Sequence, residues 1–132
     1  MTEQQFPWQE KVDDVRSKGI LGMQLYVILT TPTDGMGPVL ENMGPHLAYQ
    51  KKLQDEGITF GAGPFADDAE EFWQGDGMVI VRAASLAEAG KFAAEDPMHS
   101  SGARTFRIRP WLLNEGGLTV KVRYSDGGRD IL

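Results

Sequence analysis

MQLYVILT, residues 23–30, places Leu25, Val27 and Leu29 on one face of an alternating strand and Tyr26 and Ile28 on the other. A strand that is apolar on both faces is covered on both sides and belongs inside a sheet. GMVIVRA, residues 77–83, is a second stretch of this kind, apolar on both faces from Met78 to Val81. Two interior strands imply at least two more outside them. The sequence supplies these as ITFGAGPF, residues 58–65, and ARTFRIRPW, residues 103–111.

The segments between the strands read as helices. GPHLAYQKKLQDEG, residues 44–57, follows the turn-rich loop TPTDGMG, with Pro45 suited to a first turn and Gly57 to a helix end. His46, Tyr49 and Leu53 share one face at helical spacing. The second helix opens at Ser85-Leu86-Ala87-Glu88, a capping box in which hydroxyl and carboxylate satisfy unpaired amides, and Leu86, Ala89 and Phe92 give it a face to bury. Asp96-Pro97 stops it, because the residue before a proline is pushed out of the helical region.

The order strand, helix, strand, strand, helix, strand is the α+β, ferredoxin-like split βαβ pattern (βαββαβ), an antiparallel sheet with two helices on one face. In its usual strand order, 4-1-3-2, the central strands are the first and third, the two that are apolar on both sides. Two helices cover one face only. The bare face predicts a homodimer joined sheet to sheet, with Tyr26 and Ile28 among the residues it would cover. The domain occupies residues 23–112. Residues 1–22 form an N-terminal extension, a disordered arm or a short surface helix anchored by Phe6, Trp8 and Val12, and residues 113–132 form a tail in which LTVKVRY alternates as an added strand.

Composition narrows the chemistry. With 132 residues the chain forms one domain with a core of useful size, and without cysteine it has no disulfide, thiolate zinc site, iron–sulfur cluster or cysteine nucleophile. Thirteen Lys and Arg against nineteen Asp and Glu, a net charge of −6, disfavour nucleic acid as a partner. The one basic cluster, Arg104, Arg107 and Arg109, reads as a solvated strand face without interleaved aromatic residues. The opening residues lack the apolar run of a signal peptide, and no window approaches the ~20 apolar residues of a membrane span, so a soluble cytoplasmic protein is expected.

Chemistry rests on a few polar residues. His46 falls in the first turn of its helix on the inward face, where the positive helix end favours a neutral ring able to accept a proton. Asp96 is set at the carboxyl end of the other helix, which lies alongside the first in this fold, so the two could meet in a cleft. Each also has a plain structural reading: His46 as a helix-terminal histidine, Asp96 as the polar stop before Pro97, His99 as a surface residue. A metal site from His46, Asp96 and His99 is conceivable in kind, but the tight paired-histidine spacing of catalytic zinc is missing, and no metal is expected.

With the elements in this order, the chain resembles the YCII-related proteins. The resemblance rests on HLAYQKKLQDEGITFGAGP (46–64), GMVIVRAASLAEAGKFAAEDPMHSSG (77–102) and RIRPW (107–111). In that family a histidine opens the first helix, a Gly-Pro pair ends the second strand, and an Asp-Pro pair ends the second helix ahead of a glycine. The resemblance implies a dimeric α+β barrel related in shape to muconolactone isomerases, and a catalytic pair that carries over to His46 and Asp96. One branch of the family eliminates chloride from a chlorinated hydroxyquinol.

The function expected on these grounds is that of a cofactor-independent lyase or isomerase acting on a small, aromatic or lactone-like molecule. His46 moves the proton, Asp96 orients it, and Gly63, Pro64, Phe65, Met98 and His99 line the pocket. The alternative is a non-catalytic ligand-binding or assembly module on the same dimeric fold, and a cofactor-free monooxygenase is a third chemistry the fold can host. No glycine-rich dinucleotide or phosphate loop is present in the sequence, so no cofactor is expected.

Overall fold

The computed structural model describes residues 4–132. It divides into two units, residues 23–112 and a second formed by residues 1–22 with 113–132. In the larger unit, β1 (Met23–Pro32) leads through α2 (Met36–Glu41) and α3 (Met43–Asp55) to β2 (Thr59–Pro64). After a long loop come β3 (Gly77–Val81), α4 (Leu86–Glu95), α5 (Pro97–Ser100) and β4 (Arg104–Leu113). The strands form one sheet in the order β2-β3-β1-β4, the split βαβ arrangement, with the two strands that read as interior at its centre. β1 and β3 pair antiparallel with Tyr26 opposite Val81 and Ile28 opposite Val79.

That register decides which face is which. Tyr26, Ile28, Val79 and Val81 are buried together with Ala89 and Ala93 of α4, and Phe92 and Ile108 pack around them. The two alanines keep the helix close to the sheet, since a larger side chain there would have to displace packed neighbours. Tyr26 and Ile28 therefore lie beneath the helices, and the bare face belongs to Val27, Leu29, Met78 and Ile80, which with Trp111 line a hollow of about 380 Å³. The face assigned to Tyr26 and Ile28 from the sequence is thus corrected, because the pairing with β3 turns them toward α4.

Local chemistry accounts for most boundaries. Ser85 Oγ accepts from the Glu88 amide at 3.1 Å, and the Glu88 carboxylate accepts from the Ala84 amide, one residue earlier than a strict capping box. Leu86, expected in the buried face of this helix, is 50% exposed, while Ala89, expected there too, is joined by Ala93. At the other end α4 stops at Glu95 and a single further turn, α5, restarts at Pro97 with Asp96 as its cap. Part of the loop after β1 is also helical: Val39 of α2 is fully buried with Met98 and Ala103. Two glycines are sterically required. Gly75 has φ +93° and no room for a Cβ, which would fall 2.7 Å from Pro32 and 2.8 Å from Met36. A Cβ on Gly77 would fall 2.9 Å from the Gly63 carbonyl across the β2–β3 pairing.

In the second unit, α1 (Trp8–Ser17) has Val12 and Val15 as its buried residues, while Phe6 and Trp8, expected as anchors, are exposed. A ribbon of β5 (Val120–Val122) and β6 (Arg129–Ile131) forms the tail. Among the described residues no helix is long and apolar enough to cross a membrane.

Candidate active site

Between α3, the β2–β3 edge of the sheet and the start of β4 lies a cavity of about 600 Å³, room for one small molecule. His46 borders it. The backbone amide of His46 makes the first hydrogen bond of α3, to the Asn42 carbonyl, so the ring is carried on the opening turn of a regular helix. Its Nδ1 lies 2.9 Å from Oδ1 and 2.8 Å from Oδ2 of Asp96. Residues fifty positions apart in sequence are thus in direct contact.

Asp96 is 2% exposed, and every direction around its carboxylate is used. Oδ1 accepts from the Met98 amide at 2.9 Å, the cap of α5, and Oδ2 accepts from Gln50 Nε2 at 3.0 Å. Burial alone pushes this carboxyl up. The hydrogen bonds from His46, Met98 and Gln50, together with the charge of His46, outweigh it and hold the group below the usual carboxylate range. An ionised carboxylate can only accept, so Nδ1 of His46 carries the proton. Nε2 has no protein partner among the described residues, on a ring that borders the cavity.

Gln50 was not singled out in the sequence, although its place four residues after His46, one turn along the same face, is the signal that could have found it. Tyr49 Oη donates to the Phe92 carbonyl at 2.7 Å and so ties α3 to α4. Burial first, then the charges of Glu95, Asp96 and Glu56, push its phenol up to about 12, so it remains a donor.

The other expected pocket residues separate into two groups. Gly63 and Pro64 lie on the cavity wall, at the end of β2. Phe65, Met98 and His99 lie off it. Met98 is fully buried against Val39 and Ala103, and Phe65 is 40% exposed just past the strand. His99 is saturated: Nδ1 donates to the Ala93 carbonyl at 2.6 Å, Nε2 accepts from Thr30 Oγ1 at 2.7 Å, and the ring packs 4.6 Å from Phe106. Burial pushes this imidazole below its usual range, in keeping with a neutral ring bonded at both nitrogens. With Asp96 turned to His46 and His99 turned away, no metal-ligand cluster forms among the described residues.

Thr30, Trp73, Asp76 and Arg104 are among the cavity residues that the sequence reading did not place at the site. Trp73 Nε1 donates to the Asp76 carbonyl at 2.9 Å and pins the β2–β3 loop. Thr30 shares the helix-side face of β1 with Tyr26 and Ile28, a two-residue alternation that the strand reading already contained.

This fold is similar to that of the 5-chloro-2-hydroxyhydroquinone dehydrochlorinase of Burkholderia phenoliruptrix AC1100, solved in complex with 2,5-dihydroxybenzoquinone. The two are 21% identical, with a TM-score of 0.56 over 66% of this chain and 92% of that one. No curated protein sequence matches. Residues 24–112 match the YCII-related domain, most of the chain and all four strands of its sheet save the first residue of β1 and the last of β4, and the chain belongs to that family.

Proposed function

We propose that this chain is a small-molecule lyase or isomerase in which His46 is the general base and Asp96 its orienting partner. The observation that carries the reading is the pairing of Nδ1 with a buried, ionised carboxylate while Nε2 is left open beside a cavity. In the proposed step Nε2 takes a proton from the substrate, from carbon or hydroxyl. The electron pair left behind either expels a leaving group or shifts to a neighbouring carbon, which His46 then protonates. Asp96 stabilises the imidazolium formed between the two halves of the step. Family membership and the likeness to a dehydrochlorinase fold support a substrate that is small and aromatic or lactone-like.

The test is a screen of catechol, hydroxyquinol and lactone compounds in deuterated buffer. Wild-type protein should convert a substrate, or exchange its labile C–H for deuterium, and His46→Ala should lose ~10²-fold or more of that rate. Equal rates in the two proteins would leave the cavity as a binding module.

The subunit is further proposed to form a homodimer through Val27, Leu29, Met78 and Ile80, an apolar strip on the face opposite the helices. Light scattering at micromolar concentration should give two subunits. A monomer would refute the pairing of faces without touching the His46 reading.

A further inference from the structure

Arg104 opens β4 in an alternation that reads as solvent-facing, yet it is only 6% exposed and lies on the wall of the His46 cavity. Its Nε donates to the Gly75 carbonyl at 2.7 Å, which fixes the plane of the guanidinium. Gly75 has a positive φ and no room for a Cβ beside Pro32 and Met36, so the position that presents this carbonyl admits only glycine. Beyond that bond, no side-chain partner and no carboxylate within 4.0 Å meets Arg104 among the described residues. Asp96 and Asp76 are near enough to feel its charge, but Asp96 is spent on His46, Gln50 and Met98.

An arginine has five N–H donors in a flat fork that matches a carboxylate, and here one is used. A buried cation without a counter-ion is costly, and removing its charge is not open to a guanidinium. The fold keeps such a group where a ligand completes it. We propose that Arg104 is the seat of a carboxylate on the substrate, so that the cavity takes a small monocarboxylic acid with its reacting carbon turned to Nε2 of His46. The second half of that statement rests on the general-base reading of His46, and the first does not. A single cation with Asp76 on the same wall matches one negative charge better than a dianion such as phosphate.

Calorimetric titration tests this with acetate, benzoate and phenylacetate, each against its neutral amide, and with inorganic phosphate. Wild type should bind at least one acid about tenfold or more tightly than its amide, as a charge-assisted fork requires. Arg104→Gln should lose that preference, and His46→Gln should keep it. The proposal fails if acids and amides bind alike, if phosphate outcompetes every acid, if Arg104→Gln retains the preference, or if His46→Gln abolishes it. Should Arg104→Gln not fold, the Nε–H resonance of Arg104 in wild type decides: it should move with acid and not with amide, and a still resonance at saturation overturns the seat. Failure on any of these leaves the loss of turnover in His46→Ala untouched, so the two readings are separable.

Discussion

The start of α3 and the α4–α5 corner each present a histidine, and the two are held in opposite ways. His46 gives one nitrogen to a carboxylate and leaves the other beside an empty volume. His99 gives one nitrogen to a carbonyl, the other to a hydroxyl, and lays its ring on Phe106. Both are partly buried and both make short hydrogen bonds, so neither property separates the proposed base from a packed imidazole. What separates them is the identity of the partner and the fate of the second nitrogen. A carboxylate can stabilise the charge that proton uptake creates, whereas a carbonyl and a hydroxyl satisfy a neutral ring and leave it nothing to do.

The comparison can be broken most forcefully at Asp96. Asp96→Asn keeps the shape but can offer an amide N–H to Nδ1, which moves the ring proton to Nε2 and removes the lone pair from the cavity. Turnover should fall by ~10²-fold or more, with nitrogen NMR of His46 reporting the changed tautomer. A rate within a few-fold of wild type would make Asp96 a helix cap and nothing else.

A smaller effect should mark His99. His99→Phe leaves the Ala93 carbonyl and the Thr30 hydroxyl without their partner and should cost about 1–3 kcal/mol in denaturant melts. The pH dependence gives the sign. Because burial depresses the folded pKa of His99 below its ordinary 6.5, its contribution to stability is complete above 6.5 and is lost as pH falls from there through the folded value. Asp96 has the same sign in a lower window: its contribution is present above 3.8 and lost as pH falls through its depressed folded pKa. His99→Phe should therefore flatten the stability profile just below 6.5 and Asp96→Asn the profile below 3.8. A profile unchanged by His99→Phe would mean that the ring is not held neutral.

The smallest effect is a control remote from both histidines. Ser85→Ala removes the hydroxyl that caps α4 and should cost about 1 kcal/mol with turnover intact. Unchanged melts would show that the Glu88 carboxylate, bonded to the Ala84 amide, holds the helix start alone.

Much of the fold was legible because few arrangements satisfy two strands that are apolar on both sides. Val27 and Ile28, apolar on opposite faces, mark β1 as an interior strand, and the 2-3-1-4 order follows from placing β1 and β3 at the centre of the split βαβ pattern. The contact of His46 with Asp96 followed less directly: sequence placed each at the right end of its helix, while their meeting depends on how closely α3 and α4 pack. Arg104 and Leu86 misled for one reason. Polarity patterns report what a side chain prefers, and Arg104 is buried by a backbone carbonyl at Gly75 while Leu86 is exposed on the first turn of α4. The turn α2 was hidden by Gly37 and Pro38, residues that read as loop, and forms because Val39 finds a buried place beside Met98.

The exposed loop between β2 and β3 divides the chain into two βα halves, and the site is divided with it. The first half carries Thr30, His46 and Gln50, and the second carries Asp76, Asp96 and Arg104. The seams that join the halves include the β1–β3, β2–β3 and β1–β4 pairings and the Tyr49–Phe92 strut. Neither half holds both members of the His46–Asp96 contact, so on the proposed general-base reading a chain cut in this loop should be inactive until its fragments recombine. The His46–Asp96 contact spans fifty residues and is a non-local contact between the halves, not a product of either helix alone, so its assembly carries the loop-closure cost of bringing the two halves together.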